Sequence, residues 1–131
     1  MEVAVRRLLR EAAAGPDRQR RTSRPLSKLL KLVYFVPEEA RDATREAIFA
    51  AGGGVIGNYE RCSWFTPGTG TFLARAGADP AVGEVGEEEH VPEYRVEVVV
   101  PEDSLSAAVE ALRGAHPYEE VAFDLYPLHT L

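Results

Sequence analysis

The chain carries one cysteine, one methionine and one tryptophan in 131 residues. A lone thiol, Cys62, excludes an internal disulfide framework, so a packed core must hold the fold, and a reducing cytoplasm is the expected compartment. No apolar run approaches the roughly 18 residues that a membrane span needs. The opening MEVAVRRLLREAAAG is basic, but its apolar stretches are too short for a signal-peptide core, and Glu2 and Glu11 argue against a transit segment. Catalytic signatures are missing too. There is no Ser-His-Asp spacing, Walker motif or zinc ribbon, and the acids form no identifiable catalytic pair.

Basic residues are scarce beyond the first quarter. Residues 1–31 hold nine Lys and Arg against three acids, whereas the remaining 100 residues hold six Arg against 18 acids. The expected organisation is a basic arm, residues 1–30, on an acidic domain, residues 31–131. The arm contains AAAGPDRQRRTSRP, which lacks periodicity and reads as a linker. No aromatic residue is interleaved with its arginines, so nucleic acid is disfavoured as a partner.

Apolar residues make up 45% of the chain, enough for one core. The core-forming part contains a duplication. KLVYFVPEEARDATREAIFAAGG and YRVEVVVPEDSLSAAVEALRGAH each run from an apolar stretch through Pro-Glu and an amphipathic segment to Gly. Residues 32–36 predict a short strand. Tyr94, Val96, Val98 and Val100 alternate with polar neighbours, as in a half-buried strand. Pro37 and Pro101, each followed by acids, are helix-start signals. The first helix is expected to bury Ala40, Ala43, Ala47, Ile48 and Ala51. The second is expected to bury Leu105, Ala108, Val109 and Leu112. Gly52 and Gly114 are the expected stops.

GVIGNYERCSWF and TFLARA predict two strands of a hairpin with TPGTGT as its turn. EVAFDLYPL predicts the last strand. A strand–helix–strand unit used twice gives an α+β fold: a ferredoxin-like split βαβ sandwich with two helices on one face of a mainly antiparallel sheet. Val99, Ala122, Tyr126, Tyr59 and Trp64 could supply apolar surface on the uncovered face. That predicts a homo-oligomer, with a trimer favoured.

Four stretches, KLVYFVP, GVIGNYERCSWFTPGTGTF, VGEVGEEEHVPEYRVEVVVPED and LRGAHPYEEVAFDLYPL, resemble the small domain inserted between the halves of many bacterial Nif-three-like dinuclear-metal proteins. The resemblance covers about residues 31–128. HPYE after a helix is also similar to the CutA divalent-ion tolerance proteins, which share a ferredoxin-like, trimeric architecture with the PII signalling proteins. The halves that supply metal ligands in the Nif-three-like family have no counterpart here, so its catalytic activity does not transfer. The resemblance implies a free-standing PII/CutA-like domain devoted to sensing, regulation or metal binding.

The candidate ligand-binding residues are Asn58 and Tyr59, Gly68, Thr69, Gly70 and Thr71, and His116, Tyr118, Glu119 and Glu120. Pro117 should force His116 out of helical angles, and Tyr118 should bury its ring and find a partner for its hydroxyl. Glu119 and Glu120 would point to opposite faces of a strand, leaving one to join His116. His116 and Glu119 are the candidate metal ligands, across subunits, with a divalent ion as the candidate cofactor. GGGVIG fits G-x-G-x-x-G but follows a helix instead of opening one, so it reads as a turn. Cys62 reads as a small core residue. The acids within residues 84–93 read as a solvated loop.

The favoured function is therefore a non-enzymatic, oligomeric regulatory or ligand-binding domain with a small-molecule or protein partner. The alternatives are a CutA-like divalent-metal binder, or a structural adaptor acting through the basic arm on a protein or nucleic acid.

Overall fold

A computed structural model describes residues 28–129, so all but the last three residues of the expected arm lie outside the described residues. Folded structure starts slightly ahead of expectation. The strands are β1 (Leu29–Val36), β2 (Trp64–Leu73), β3 (Glu88–Pro101) and β4 (Phe123–Pro127), and the helices are α1 (Glu38–Ala50) and α2 (Leu105–Ala115). A 3-10 turn, Glu102–Ser104, leads into α2. The sheet order is β2-β3-β1-β4, and each neighbouring pair is antiparallel. This is the expected split βαβ arrangement.

The duplicated Pro-Glu signals act alike. Pro37 sits at φ −65° and ψ 154°, and Pro101 at φ −64° and ψ 144°, so each leaves a strand extended and opens a helical turn with two acids. Helix-facing residues of the two central strands meet in one core. Leu32, Tyr34 and Val36 from β1 and Val96, Val98 and Val100 from β3 pack against Ala40 and Ile48 of α1 and Ala108 and Leu112 of α2. One polar bond crosses this core. The Thr44 hydroxyl donates to the Ala40 carbonyl at 2.9 Å, which leaves its oxygen to accept from the Tyr34 hydroxyl, also at 2.9 Å. Burial pushes the Tyr34 phenol up to about 12.

Several local expectations need correction. Ala43 is exposed, and Thr44 takes the buried place one residue on. Its hydroxyl satisfies itself on the helix backbone, so a polar residue fills a core position without loss. Gly114 lies inside α2 and does not stop it. The helix ends where Pro117 holds His116 extended, at φ −88° and ψ 137°.

The expected hairpin is also wrong. Residues 52–63 form a folded loop with only the isolated bridge Ile56↔Tyr59. TPGTGT, read as the turn, lies inside β2, where Gly68 pairs with Glu93 and Gly70 with Val91. β2 is an edge strand, and an edge tolerates Gly and a Pro lacking its N–H. The turn of the real hairpin is the long connection between Leu73 and Glu88. Gly54 shapes the loop after α1. Its φ is +81°, and a Cβ there would lie 2.8 Å from the Phe49 ring.

On the face away from the helices, register places Trp64, Glu97, Val33 and Asp124 in one row across the sheet, and Val99, Lys31 and Tyr126 in the next. Lys31 and Arg95 each reach Glu97 at 3.2 Å. Ile56 and Val99 form a small second core with Leu29, Cys62 and Leu128 alongside. Trp64 and Tyr126 remain exposed.

Thr44→Val should leave the Tyr34 hydroxyl buried without an acceptor and cost about 1–3 kcal/mol. Ile48→Ala should cost about 2–5 kcal/mol through the cavity it opens. Urea denaturation of the two variants, at unchanged m value, checks both figures.

Candidate functional site

The sheet is longer on one side than the other. β1 ends at Val36 opposite Tyr94, and its partner β4 begins opposite Tyr34. β2 and β3 continue past that end, pairing through Gly68↔Glu93 to Leu73↔Glu88. Six residues per strand make an overhang of roughly 20 Å. The segment after α2 arrives at this same end of the sheet and meets the overhang.

His116 ties the junction down. Its Nε2 lies 2.7 Å from the Phe35 carbonyl, and its Nδ1 accepts the Tyr118 backbone N–H at 3.1 Å. An acceptor at Nδ1 and a carbonyl opposite Nε2 select the neutral ring with its proton on Nε2. The Phe35 carbonyl lies just beyond the last β1–β4 pair, so the histidine satisfies an oxygen the ladder leaves. Burial is the main influence on the ring and lowers its pKa, while the Phe35 carbonyl and the charge of Glu93 oppose it.

Tyr118 packs against His116, with ring centroids 4.8 Å apart, and approaches Phe72 of the overhang at 6.4 Å. Its hydroxyl bonds to Glu93. Burial first, then the charge and hydrogen bond of Glu93, push the phenol up to about 12. Gly70 makes room for this arrangement, because a Cβ there would collide with the Glu93 carboxylate. Glu119 accepts the Asp79 backbone N–H at 3.0 Å, tying the bend to the long β2–β3 connection.

Two of the three candidate stretches therefore meet: Gly68, Thr69, Gly70 and Thr71 on β2, and the bend holding His116, Tyr118, Glu119 and Glu120. Residues 118–120 form a bend and not the start of a strand. Asn58 and Tyr59 are elsewhere. Their loop is fixed beside Val99 through the Gly54 N–H to Val99 carbonyl bond of 2.8 Å. Val99 and Val91 are eight residues apart on β3, or about 26 Å. Among the described residues, no group of three or more His, Cys, Asp or Glu could hold a metal ion.

Glu93, Phe72 and Asp79 are the site residues that sequence reasoning missed. The sequence reading places Glu93 in an acidic loop, yet residues 88–93 belong to β3. The face of Tyr94–Val100 continues backwards through Pro92, His90 and Glu88, so no apolar alternation signals this extension, and pairing with β2 makes it a strand. A second missed cluster braces α1 against β2, β3 and the loop that follows α1. The Arg41 guanidinium lies over Phe65 at 4.4 Å and Tyr94 at 4.6 Å, and Arg61 pairs with Glu46 while stacking on Phe49 at 5.0 Å. Arg61 adopts φ 60°, the left-handed region that an arginine rarely enters. Cys62 is half-buried, and burial pushes its thiol up.

No protein-family model matches the chain. Individual proteins do. A Mycobacterium tuberculosis protein named GTP cyclohydrolase 1 type 2 homolog is 53% identical over 98 residues, which is 75% of this chain and 26% of that one. A Bacillus subtilis protein of the same name is 45% identical over 100 residues, 76% of this chain and 27% of its own. A Bacillus cereus protein related to NIF3 superposes with a TM-score of 0.72 at 35% identity, covering 96% of this chain and 32% of that one. The chain is homologous to one segment of the Nif-three-like proteins. It spans about a quarter of the length of the curated Nif-three-like relatives it matches. The fold extends further. CutA from Archaeoglobus fulgidus matches with a TM-score of 0.57 at 12% identity, over 77% of this chain and 84% of that one. The Bacillus subtilis GlnK–ATP complex matches at 0.51 and 10% identity, over 78% and 84%. At such identities the likeness to CutA and GlnK is one of fold, matching the PII/CutA-like architecture expected beside the Nif-three-like resemblance.

Glu93→Gln should lower the Tyr118 pKa from about 12 while leaving it above the ordinary tyrosine value, because burial remains. NMR titration of the labelled Tyr118 ring measures the change. An unmoved titration would separate Glu93 from the phenol.

Proposed function

We propose that this chain is a non-enzymatic, oligomeric binding and regulatory module, with its ligand at the junction of the β2–β3 overhang and the 116–120 bend. The observation that carries this reading is the meeting of Gly70, Glu93 and Tyr118 with His116 at the one end of the sheet where the four strands are uneven. Glu93, Tyr118 and His116 direct polar atoms to one another and to backbone. Such a set positions and recognises better than it transfers protons, which supports binding over catalysis.

The helix-free face supports association. Trp64 and Tyr126 are exposed there, in adjacent rows of the sheet. A trimer built on that face is the assembly we favour. The cytoplasm remains the expected compartment, and no helix among the described residues is long and apolar enough to cross a membrane.

A divalent ion held by His116 and Glu119 is less well supported. Both ring nitrogens of His116 are committed to backbone bonds, and Glu119 is bound to Asp79. An adaptor role for the basic arm concerns residues outside those described.

Native mass spectrometry with ATP, Zn²⁺, Cu²⁺ and Mg²⁺, each added separately, tests the binding reading. An oligomer that retains one of these, with affinity falling about tenfold or more in Gly70→Ala at unchanged subunit number, supports it. A ligand-free protein under all four conditions overturns it for these ligand classes, and retention that ignores Gly70→Ala moves the site elsewhere.

A further inference from the structure

His116 joins three parts of the junction, one through its backbone N–H and two through its ring. It caps the end of α2, bonds the Phe35 carbonyl of β1 and holds the Tyr118 N–H of the bend. The two ring bonds make opposite demands. Nε2 faces an acceptor and must carry a proton. Nδ1 faces a donor and must not. Only the neutral ring meets both, and a second proton would set two N–H groups against each other across 3.1 Å.

We propose that His116 is a proton-operated latch: the neutral ring holds the bend closed against the β2–β3 overhang, and protonation at Nδ1 releases it. Release passes along the bend. Tyr118 loses its backbone anchor, then its approach to Phe72 and its hydroxyl bond to Glu93. Glu119, one residue on, loses its fixed position on the Asp79 amide, so the long β2–β3 connection is freed with the bend.

The groups around the ring favour two distinct states. Glu93 of β3 acts on His116 directly, and its negative charge favours the imidazolium. Tyr118 of the bend contacts the ring, and Glu39 of α1 acts on Tyr118. β1 offers its Phe35 carbonyl, which accepts from Nε2 in either protonation state. Once Tyr118 swings away, Glu93 can accept the imidazolium proton, so the open state has a partner of its own. Burial outweighs these attractions and keeps the folded pKa below the ordinary 6.5. The sign follows from linkage. The closed latch contributes fully above the unfolded value, and its contribution is lost as pH falls through the lower folded value.

The latch is defined without any ligand and stands apart from the binding reading; only as a regulator of that junction does it rest on it. The test uses the whole chain with no ligand added. Amide hydrogen exchange by NMR gives protection factors for Tyr118, Asp79 and the core residue Val98 across pH 8 to 5, while the His116 ring is titrated in the same samples. The expected result is a loss of protection of about tenfold or more at Tyr118 and Asp79, tracking the ring, with Val98 unchanged. In His116→Asn the side-chain oxygen keeps an acceptor near the Nδ1 position and takes no proton, so Tyr118 protection should be flat with pH. Unchanged Tyr118 protection through the wild-type His116 titration overturns the latch, and so does the same pH dependence in His116→Asn. If that variant does not fold, the wild-type comparison decides alone.

Discussion

The antiparallel pairing of β1 with β3 is the constraint on which the rest of the structure depends. Eight residues, Leu29 to Val36, face Pro101 to Tyr94 in unbroken register. Because side chains alternate, this one register sends Leu32, Tyr34 and Val36 to the helices together with Val96, Val98 and Val100. A one-residue slip would turn the three core side chains of one strand to the opposite face and split the set. Each strand then ends at a proline that starts a helix, so the same pairing fixes where both helices begin.

The unequal lengths of the strands create the end of the sheet at which we propose the ligand sits. β3 has 14 residues against 8 in β1, so β2 and β3 run on after the helices and β1 have stopped. An unsupported two-stranded ribbon is marginal in water. Here it is held by the 116–120 bend, through Tyr118 on Glu93 and Phe72 and through Glu119 on Asp79. The bend in turn hangs on His116. Support for the overhang and the proposed regulation of the site are thus carried by the same few groups.

The homology to one segment of longer Nif-three-like proteins fits a binding role without importing their chemistry. The fold is shared with CutA and GlnK at identities too low to carry a ligand across. The junction's features are local: a glycine under a carboxylate, a raised phenol and a histidine committed at both nitrogens. These are properties of close packing, and they are the basis of the binding reading we propose.

The sequence by itself determined the duplicated strand–Pro–helix unit, the helix-facing alternation of β3 and the end of α2 at Pro117, because each is a short-range consequence of period or of proline geometry. It misplaced β2. Pro67, Gly68 and Gly70 carry the chemistry of a turn, and only pairing with Glu93 and Val91 makes them a strand edge. The same tertiary pairing decided the site. Glu93 acquires its meaning from Gly70 and from Tyr118, a residue 25 positions further along the chain. His116 acquires its own from a carbonyl 81 positions earlier. Spacing along a chain cannot show such meetings; a sheet with unequal strands creates them.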